Sequence, residues 1–143
     1  MAAVLPDLSH ITLVDEEKVY IPSDDTFLLC DAIHAEKDNL LRTIRPEKVV
    51  ELGCGSGCVI TYLSRLLLDH HYQSFSSMGI DINIDALKLT RNTFENNISK
   101  NQLQIDLVQS NLFSAFEHTP FMKNVDVLIF NPPYVPSESS EIG

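Results

Sequence analysis

Positive charge is the first thing this sequence lacks. Lys and Arg number 10 against 20 Asp and Glu, a formal net charge of -10 over 143 residues. A phosphate backbone needs a basic surface, so the balance disfavours nucleic acid as a partner, short of a local basic patch. Cysteine is also scarce. Cys30, Cys54 and Cys58 are odd in number, contain no C-x-x-C pair and read as reduced, intracellular thiols. No His or Cys near Cys54 and Cys58 completes a zinc set, so no metal site is expected. Met1 to His10 has no basic residue leading into a long apolar run, and no signal peptide is visible. No apolar run approaches the roughly 18–20 residues needed to span a membrane. A cytoplasmic setting is expected, with the nucleus as a second.

What is present is a globular composition, 44% hydrophobic, of a length that suits one domain with a single core. Its organising stretch is Lys48-Val49-Val50-Glu51-Leu52-Gly53-Cys54-Gly55-Ser56-Gly57. Lys48 to Leu52 reads as a short buried strand, and three glycines at alternate positions follow. From Gly57 to about His70 the apolar residues Val59, Leu63, Leu66 and Leu67 keep a helical period. Strand, glycine turn and helix make half of a β-α-β unit, which brings backbone close to a ligand beside a helix N-terminus. Residue 58 is cysteine, so the dinucleotide fingerprint G-x-G-x-x-G is not met, and no G-K-[ST] follows for a phosphate-cradling loop. E-L-G-C-G-S-G, with an acid two places before the first glycine, resembles the nucleotide loop of S-adenosylmethionine-dependent methyltransferases. A plain structural glycine turn is the alternative.

The remaining elements follow in order. Residues 1–18 carry little periodicity and read as a lead-in to a domain covering 19–143. Pro22 stops any earlier helix, Ser23 caps a new one, and Asp24 and Asp25 suit its first turn. Phe27, Leu28, Cys30, Asp31 and Ile33 begin an amphipathic helix running to about Leu41, closed by Arg42 to Pro46. His70 to Ser77 is a loop whose paired histidines read as a solvated helix end. Ser77 to Ile82 is the second strand. An acid such as Asp81 at the end of that strand accepts hydrogen bonds from ribose hydroxyls in open α/β folds, each contributing on the order of 1.5–3 kcal/mol. Asn83 to about Ile98 is a helix with Ala86, Leu87, Leu89, Thr90, Phe94 and Ile98 on one face. Leu103 to Val108 alternates apolar and polar like a strand near an edge, and Val125 to Phe130 is a near-continuous apolar run fit for a sheet centre. The fold class is α/β, a Rossmann-like sheet with helices on both faces.

Glu51, Asp81, Asn111 and Asn131 follow the four strands in turn, and right-handed crossovers bring their ends to one rim. The sharpest signal is Asn131-Pro132-Pro133-Tyr134 after the fourth strand. Two prolines forbid further ladder pairing, so the chain leaves the sheet as a stiff turn. The motif resembles the [ND]-P-P-[YFW] of methyltransferases that alkylate a planar NH2 nitrogen. Such a nitrogen has a delocalised, weakly nucleophilic lone pair. The Asn131 side-chain oxygen and the Pro132 carbonyl can accept from its N–H bonds and localise that pair toward the methyl group. Tyr134 can lie against a planar amide or ring. No shifted general base is required.

The combined pattern resembles the HemK-like protein glutamine N5-methyltransferases, in the short form that methylates class 1 translation termination (release) factors of eukaryotes and archaea. Tyr20 to Leu29, Glu51 to Gly57, Asp81-Ile82-Asn83, Ser110-Asn111-Leu112 and Asn131 to Tyr134 carry it, over about Val19 to Gly143. The resemblance implies S-adenosyl-L-methionine as cofactor, with Thr26, and Asp25 beside it, lining its pocket. It puts Glu51 and Gly53 at the methionine end, Asp81 at the ribose, and Ser110 to Leu112, with Asn111 among them, at the adenine, and counts Gly55, Gly57 and Asn131 among the cofactor-binding residues. Asn131, Pro132, Pro133 and Tyr134 would hold the glutamine of a Gly-Gly-Gln motif. It also implies a small zinc-binding activator subunit, for which the Leu103 to Val108 edge is the docking strand.

Two departures stand out. Asn111 occupies a position where that family usually has an acid, which weakens rather than abolishes the expected adenine contact. The family sheet has seven strands and this chain supplies four, so a C-terminally truncated form is expected, with the fourth strand a bare edge. An adenine or cytosine amino-methyltransferase shares the N-P-P-Y chemistry and is the alternative enzyme. A non-catalytic fragment that binds cofactor or activator without turnover is the alternative from outside catalysis.

Overall fold

In the computed structural model, residues 3–111, 114 and 123–131 are described. Four parallel strands form one sheet in the order β3-β2-β1-β4. They are β1 Lys48–Leu52, β2 Ser76–Asp81, β3 Ile105–Gln109 and β4 Val127–Phe130. The first strand falls on the expected residues. The third starts later than Leu103, because the Leu103 N–H turns back to the Ser99 carbonyl. The fourth starts at Val127 because Asp126 is already engaged. Its carboxylate accepts from the Glu47 and Lys48 N–H groups at 2.7 and 3.0 Å, fastening the amino ends of β1 and β4. Among the described residues β4 is an edge strand and not a centre strand.

Two helices connect the first three strands, α4 (Cys58–Asp69) and α5 (Ile84–Asn97). The four positions expected to face the core from α4, namely Val59, Leu63, Leu66 and Leu67, are all buried, as are six others of its twelve residues. Asn83 caps α5 by accepting from the Asp85 N–H, and Ala86, Leu87, Leu89, Thr90 and Phe94 are buried as their spacing requires. With α2 (Asp24–Ala35), these helices join one core with Val49, Ile105 and Ile129 of the sheet. Successive strand residues point to opposite faces. Val50, Leu52 and Ile80 accordingly make a second cluster on the other face.

Three expectations need correcting. The helix begun at Ser23 does not run unbroken to Leu41. α2 stops at Ala35, a short α3 (Lys37–Asn39) follows, and a π-helical turn over Leu40–Ile44 ends at Arg45, whose φ of 47° is left-handed. Pro46 follows, and the residue before a proline avoids the right-handed helical region. Leu28 is 69% exposed, because Thr26 and Cys30, one turn apart, take the inward face. The lead-in also contains a helix, α1 (Leu13–Lys18). A reciprocal capping box between Thr12 and Asp15 starts it.

The loop after α4 is solvated at His70 and His71, and again at Gln73 and Ser74, but not throughout. Tyr72 and Phe75 are buried and stacked with ring centres 6.0 Å apart, and the Tyr72 hydroxyl donates to the Pro46 carbonyl.

Candidate functional site

The sheet order reverses between β1 and β4, and open α/β sheets bind ligands outside the carboxyl ends of strands at that point. A cleft of about 450 Å3 lies there. That volume is within the range of small-molecule sites. Its floor is the glycine loop. Gly53 and Gly55 both have positive φ, 68° and 55°, which glycine adopts without steric cost. The loop is tied to the next strand: Gly53 and Cys54 N–H groups donate to the Ile80 carbonyl at 2.7 and 3.2 Å. Cys54 packs its thiol into a notch at Gly79, where an added Cβ would meet the sulfur at 3.1 Å.

Two carboxylates face the cleft in different settings. Glu51, inside β1 rather than beyond it, is 3% exposed. Its Oε1 accepts from the Ile60 N–H at 3.1 Å, one of the free donors of the first turn of α4. Burial pushes its pKa well above the ordinary carboxylate value, against the lowering effect of that hydrogen bond. Asp81 closes β2 and is partly exposed. Its Oδ2 accepts from the Gly55 N–H at 3.0 Å and its Oδ1 from the Asn83 N–H at 2.9 Å. Each oxygen thus spends one lone pair on backbone and has a second for a ligand hydroxyl. The helix-cap role belongs to Asn83.

Thr26 lines the cleft from α2, buried, with its hydroxyl oxygen accepting from the Ser23 N–H and its proton left to donate. Ser110 and Asn111, after β3, and Asn131, after β4, also line the cleft. The Asn111 side-chain oxygen accepts from the Ser114 N–H at 2.6 Å, so one of its lone pairs is engaged within the chain. Two expected residues are elsewhere. Asp25 is exposed and lies outside the lining, because it points away from the inward face on which Thr26 sits. Gly57 also lies outside it: φ is 81°, the N–H donates to the Cys54 carbonyl, and the residue packs against α5. Leu112, Pro132, Pro133 and Tyr134 fall outside the described residues.

Sequence reasoning missed the cleft's third wall. Val19, Tyr20, Ile21 and Pro22 line it directly, with Ile82 and Ala86 adding apolar surface. The Asn83 side chain holds that segment by donating to the Lys18 carbonyl at 2.8 Å. The cysteines meet different partners. Cys58 meets Cys30 of α2, and that contact, together with burial, pushes the Cys30 thiol up, whereas Cys54 meets Thr90.

Comparison with known proteins places this cleft in a family. The family described as methyltransferase small domain matches residues 28–142. The eRF1 methyltransferase catalytic subunit mtq2 of Schizosaccharomyces pombe is 32% identical over 143 residues, covering 96% of this chain and 59% of that protein. Methyltransferase HEMK2 of Mus musculus is 35% identical over 140 residues, with the same coverage of 96% and 59%. A ribosomal protein uL3 glutamine methyltransferase of Neisseria meningitidis is 28% identical over 130 residues, covering 89% of this chain and 37% of that protein. The chain thus spans about three-fifths of the length of the first two relatives. A Rossmann-like parallel sheet, a glycine loop with flanking carboxylates and a match over most of its length together establish that this chain belongs to the methyltransferase small domain family, on its HemK-like branch.

Proposed function

We propose that this chain carries the cofactor-binding part of an S-adenosylmethionine-dependent methyltransferase acting on the side-chain amide nitrogen of a glutamine. The protein substrate is a class 1 translation release factor, and the target lies in its Gly-Gly-Gln motif. The observation that carries the reading is the convergence of Glu51, Asp81 and Asn131 on one cleft at the strand-order reversal. The names of the relatives, an eRF1 methyltransferase subunit and a glutamine methyltransferase, supply the substrate class.

The residues present fit such a cofactor. Glu51 is a buried carboxylate held against a helix N-terminus, suited to an ammonium group. Asp81 is an oriented double acceptor for a ribose diol. Ile82 and Ala86 give apolar cover beside Asn111 for a flat base. When bound, the cofactor supplies a methyl group on a sulfonium. This chain's contribution to the transfer is orientation. Asn131 follows β4 on the rim and offers an acceptor for the glutamine N–H, which holds the nitrogen lone pair away from its own carbonyl and toward the reacting carbon. The Pro132 carbonyl is assigned the second acceptor role from the sequence motif, and Tyr134 the stacking role.

The partner assigned is the small zinc-binding activator, seated on β3. That strand is the other edge of the sheet among the described residues, and an extended segment can add to it by backbone pairing. The reading places the enzyme in the cytoplasm, where a translation factor is at hand.

The test has two parts. Calorimetric titration with S-adenosylmethionine, with and without a zinc-binding activator, is expected to show one site. Incubation with a labelled methyl donor and a Gly-Gly-Gln release factor is then expected to label the glutamine, and no label on a variant with Gln replaced by Ala. A folded chain that binds no cofactor in either condition overturns the proposal, and label transferred to DNA instead moves the chain to the amino-methyltransferases of nucleic acid.

A further inference from the structure

Thr90 lies within α5 with no exposed surface and does not line the cleft. A threonine inside a helix commonly turns its hydroxyl back to the carbonyl four residues earlier. Thr90 Oγ1 instead donates out of its helix, to the Gly55 carbonyl oxygen at 2.9 Å, with Cys54 Sγ at 3.2 Å as the second acceptor. The hydroxyl has one proton for the two, and sulfur is the weaker acceptor, so the carbonyl holds it. Thr90 meets the loop a third time at Gly57, where an added Cβ would lie 2.8 Å from Thr90 Cα and 2.9 Å from its methyl carbon. One residue of α5 therefore touches Cys54, Gly55 and Gly57.

Gly55 is the residue on which this converges. Asp81 holds its N–H and Thr90 holds its C=O, so both backbone polar groups of one cleft-lining residue, and with them the peptide planes on either side of it, are fixed from outside the loop. We propose that Thr90 is a positioning residue for the cofactor site: its hydroxyl keeps the Gly55 carbonyl turned into α5 and the glycine loop in its binding conformation before any ligand arrives. The identity of the ligand rests on the methyltransferase reading above, whereas the hold on the loop does not. Without the hydroxyl, the Gly55 carbonyl loses its buried partner and turns to find water, which the cleft that Gly55 lines can supply. That move places a carbonyl lone pair in the site and loosens Gly55, whose N–H on the preceding peptide orients Asp81.

Thr90→Val keeps the volume and removes only the hydroxyl. Two measurements decide. The first is hydrogen exchange in the ligand-free chain. The Gly53, Cys54, Gly55 and Gly57 N–H groups are all internally bonded and therefore report on the loop. Their exchange is expected to quicken about tenfold in Thr90→Val, with residues 60–68 of α4 unchanged, and Thr90→Ser is expected to restore the slow rate. The second is calorimetric titration with S-adenosylhomocysteine, in which Thr90→Val is expected to weaken binding about tenfold and Thr90→Ser to stay within about twofold of the parent. If Thr90→Val does not fold, comparison of Thr90→Ser with Thr90→Ala isolates the hydroxyl in the same two readouts. Loop exchange unchanged in Thr90→Val, or quickened equally in Thr90→Val and Thr90→Ser, overturns the proposal, the latter because it assigns the effect to packing. A parent chain that binds no S-adenosylhomocysteine fails the cofactor reading, and the exchange result still decides the role of Thr90.

Discussion

The two sides of the cleft are built to different standards. On the β1–β2 side the glycine loop is over-determined: Ile80, Asp81 and Thr90 between them hold Gly53, Cys54 and Gly55 by hydrogen bonds from outside the loop. On the β4 side, Asn131 follows a strand that is at the edge among the described residues and whose Leu128 and Phe130 are 43% and 48% exposed. The rigid side is the one that must match a single small molecule atom for atom. Under the proposed function, the open side is the one that would admit a protein segment. On that proposal, preorganisation is concentrated where a ligand of fixed shape would bind, and the face left accessible is the one a larger partner would approach.

The contrast breaks most severely at Asn131. In methyl transfer to a Gly-Gly-Gln release factor, Asn131→Ala is expected to lower the single-turnover rate by a factor equivalent to about 2.7–4 kcal/mol, with cofactor affinity little changed. Equal rates from equally folded proteins would remove Asn131 from the chemistry. On the rigid side the instructive comparison is between two glycines of one loop. Gly57→Ala forces a left-handed alanine and drives its Cβ to 2.8 Å from the Thr90 backbone, so a loss of about 2–4 kcal/mol in urea unfolding is expected. Gly53→Ala shares the positive φ but meets nothing within 4 Å, so only the conformational cost of about 1–2 kcal/mol applies. Equal losses at the two positions would mean that α5 does not brace the loop.

How far these features could be read beforehand depends on the range of the force behind them. β1, α4 and the buried face of α5 were legible because local periodicity and the glycine punctuation both report on neighbours in sequence. Glu51, Asp81 and Asn131 were legible as rim residues because strand ends in a parallel sheet share one edge. Thr90 was legible only as a buried position. Nothing local marks a threonine whose hydroxyl leaves its helix for a loop more than thirty residues earlier. Gly57 was read as a ligand-facing glycine, yet its requirement comes from α5 and not from the cleft. α1 had a readable start in Thr12 and Asp15, but six residues give too short a pattern for periodicity to register. Tyr72 and Phe75 were hidden in a polar-looking loop because the Tyr72 hydroxyl's partner, the Pro46 carbonyl, lies before β1, and Phe75 stacks on Tyr72.

Glu51 sharpens the comparison through pH. Its folded-state pKa is raised, mainly by burial, so between the unfolded value of 4.5 and the folded value the native chain binds more protons than the unfolded chain. Stability from this group is therefore present below the unfolded pKa and is lost as pH rises through that window. Glu51→Gln keeps an oxygen for the Ile60 N–H and removes the buried charge. In the ligand-free chain its urea midpoint is expected to gain on the parent as pH rises from about 5 to 8, while cofactor affinity falls. A midpoint difference independent of pH would mean that Glu51 titrates normally and that its burial carries no electrostatic cost.

The smallest effect is expected on the open side. Leu128 is an exposed side chain on a strand that is at the edge among the described residues, and exposed apolar residues contribute little to the stability of the chain that carries them. Leu128→Lys is expected to shift the urea midpoint by no more than the equivalent of about 0.5 kcal/mol. Its consequence lies between molecules. An apolar, unpaired edge is a template for a second strand, and a lysine there adds a charge that a second edge would have to desolvate. Sedimentation over a concentration series is therefore expected to show weaker self-association in Leu128→Lys than in the parent, at equal folded content. A loss of stability comparable to that of Gly57→Ala would instead mean that β4 is packed as tightly as the glycine loop, and the division of the cleft into a braced side and an open side would fail.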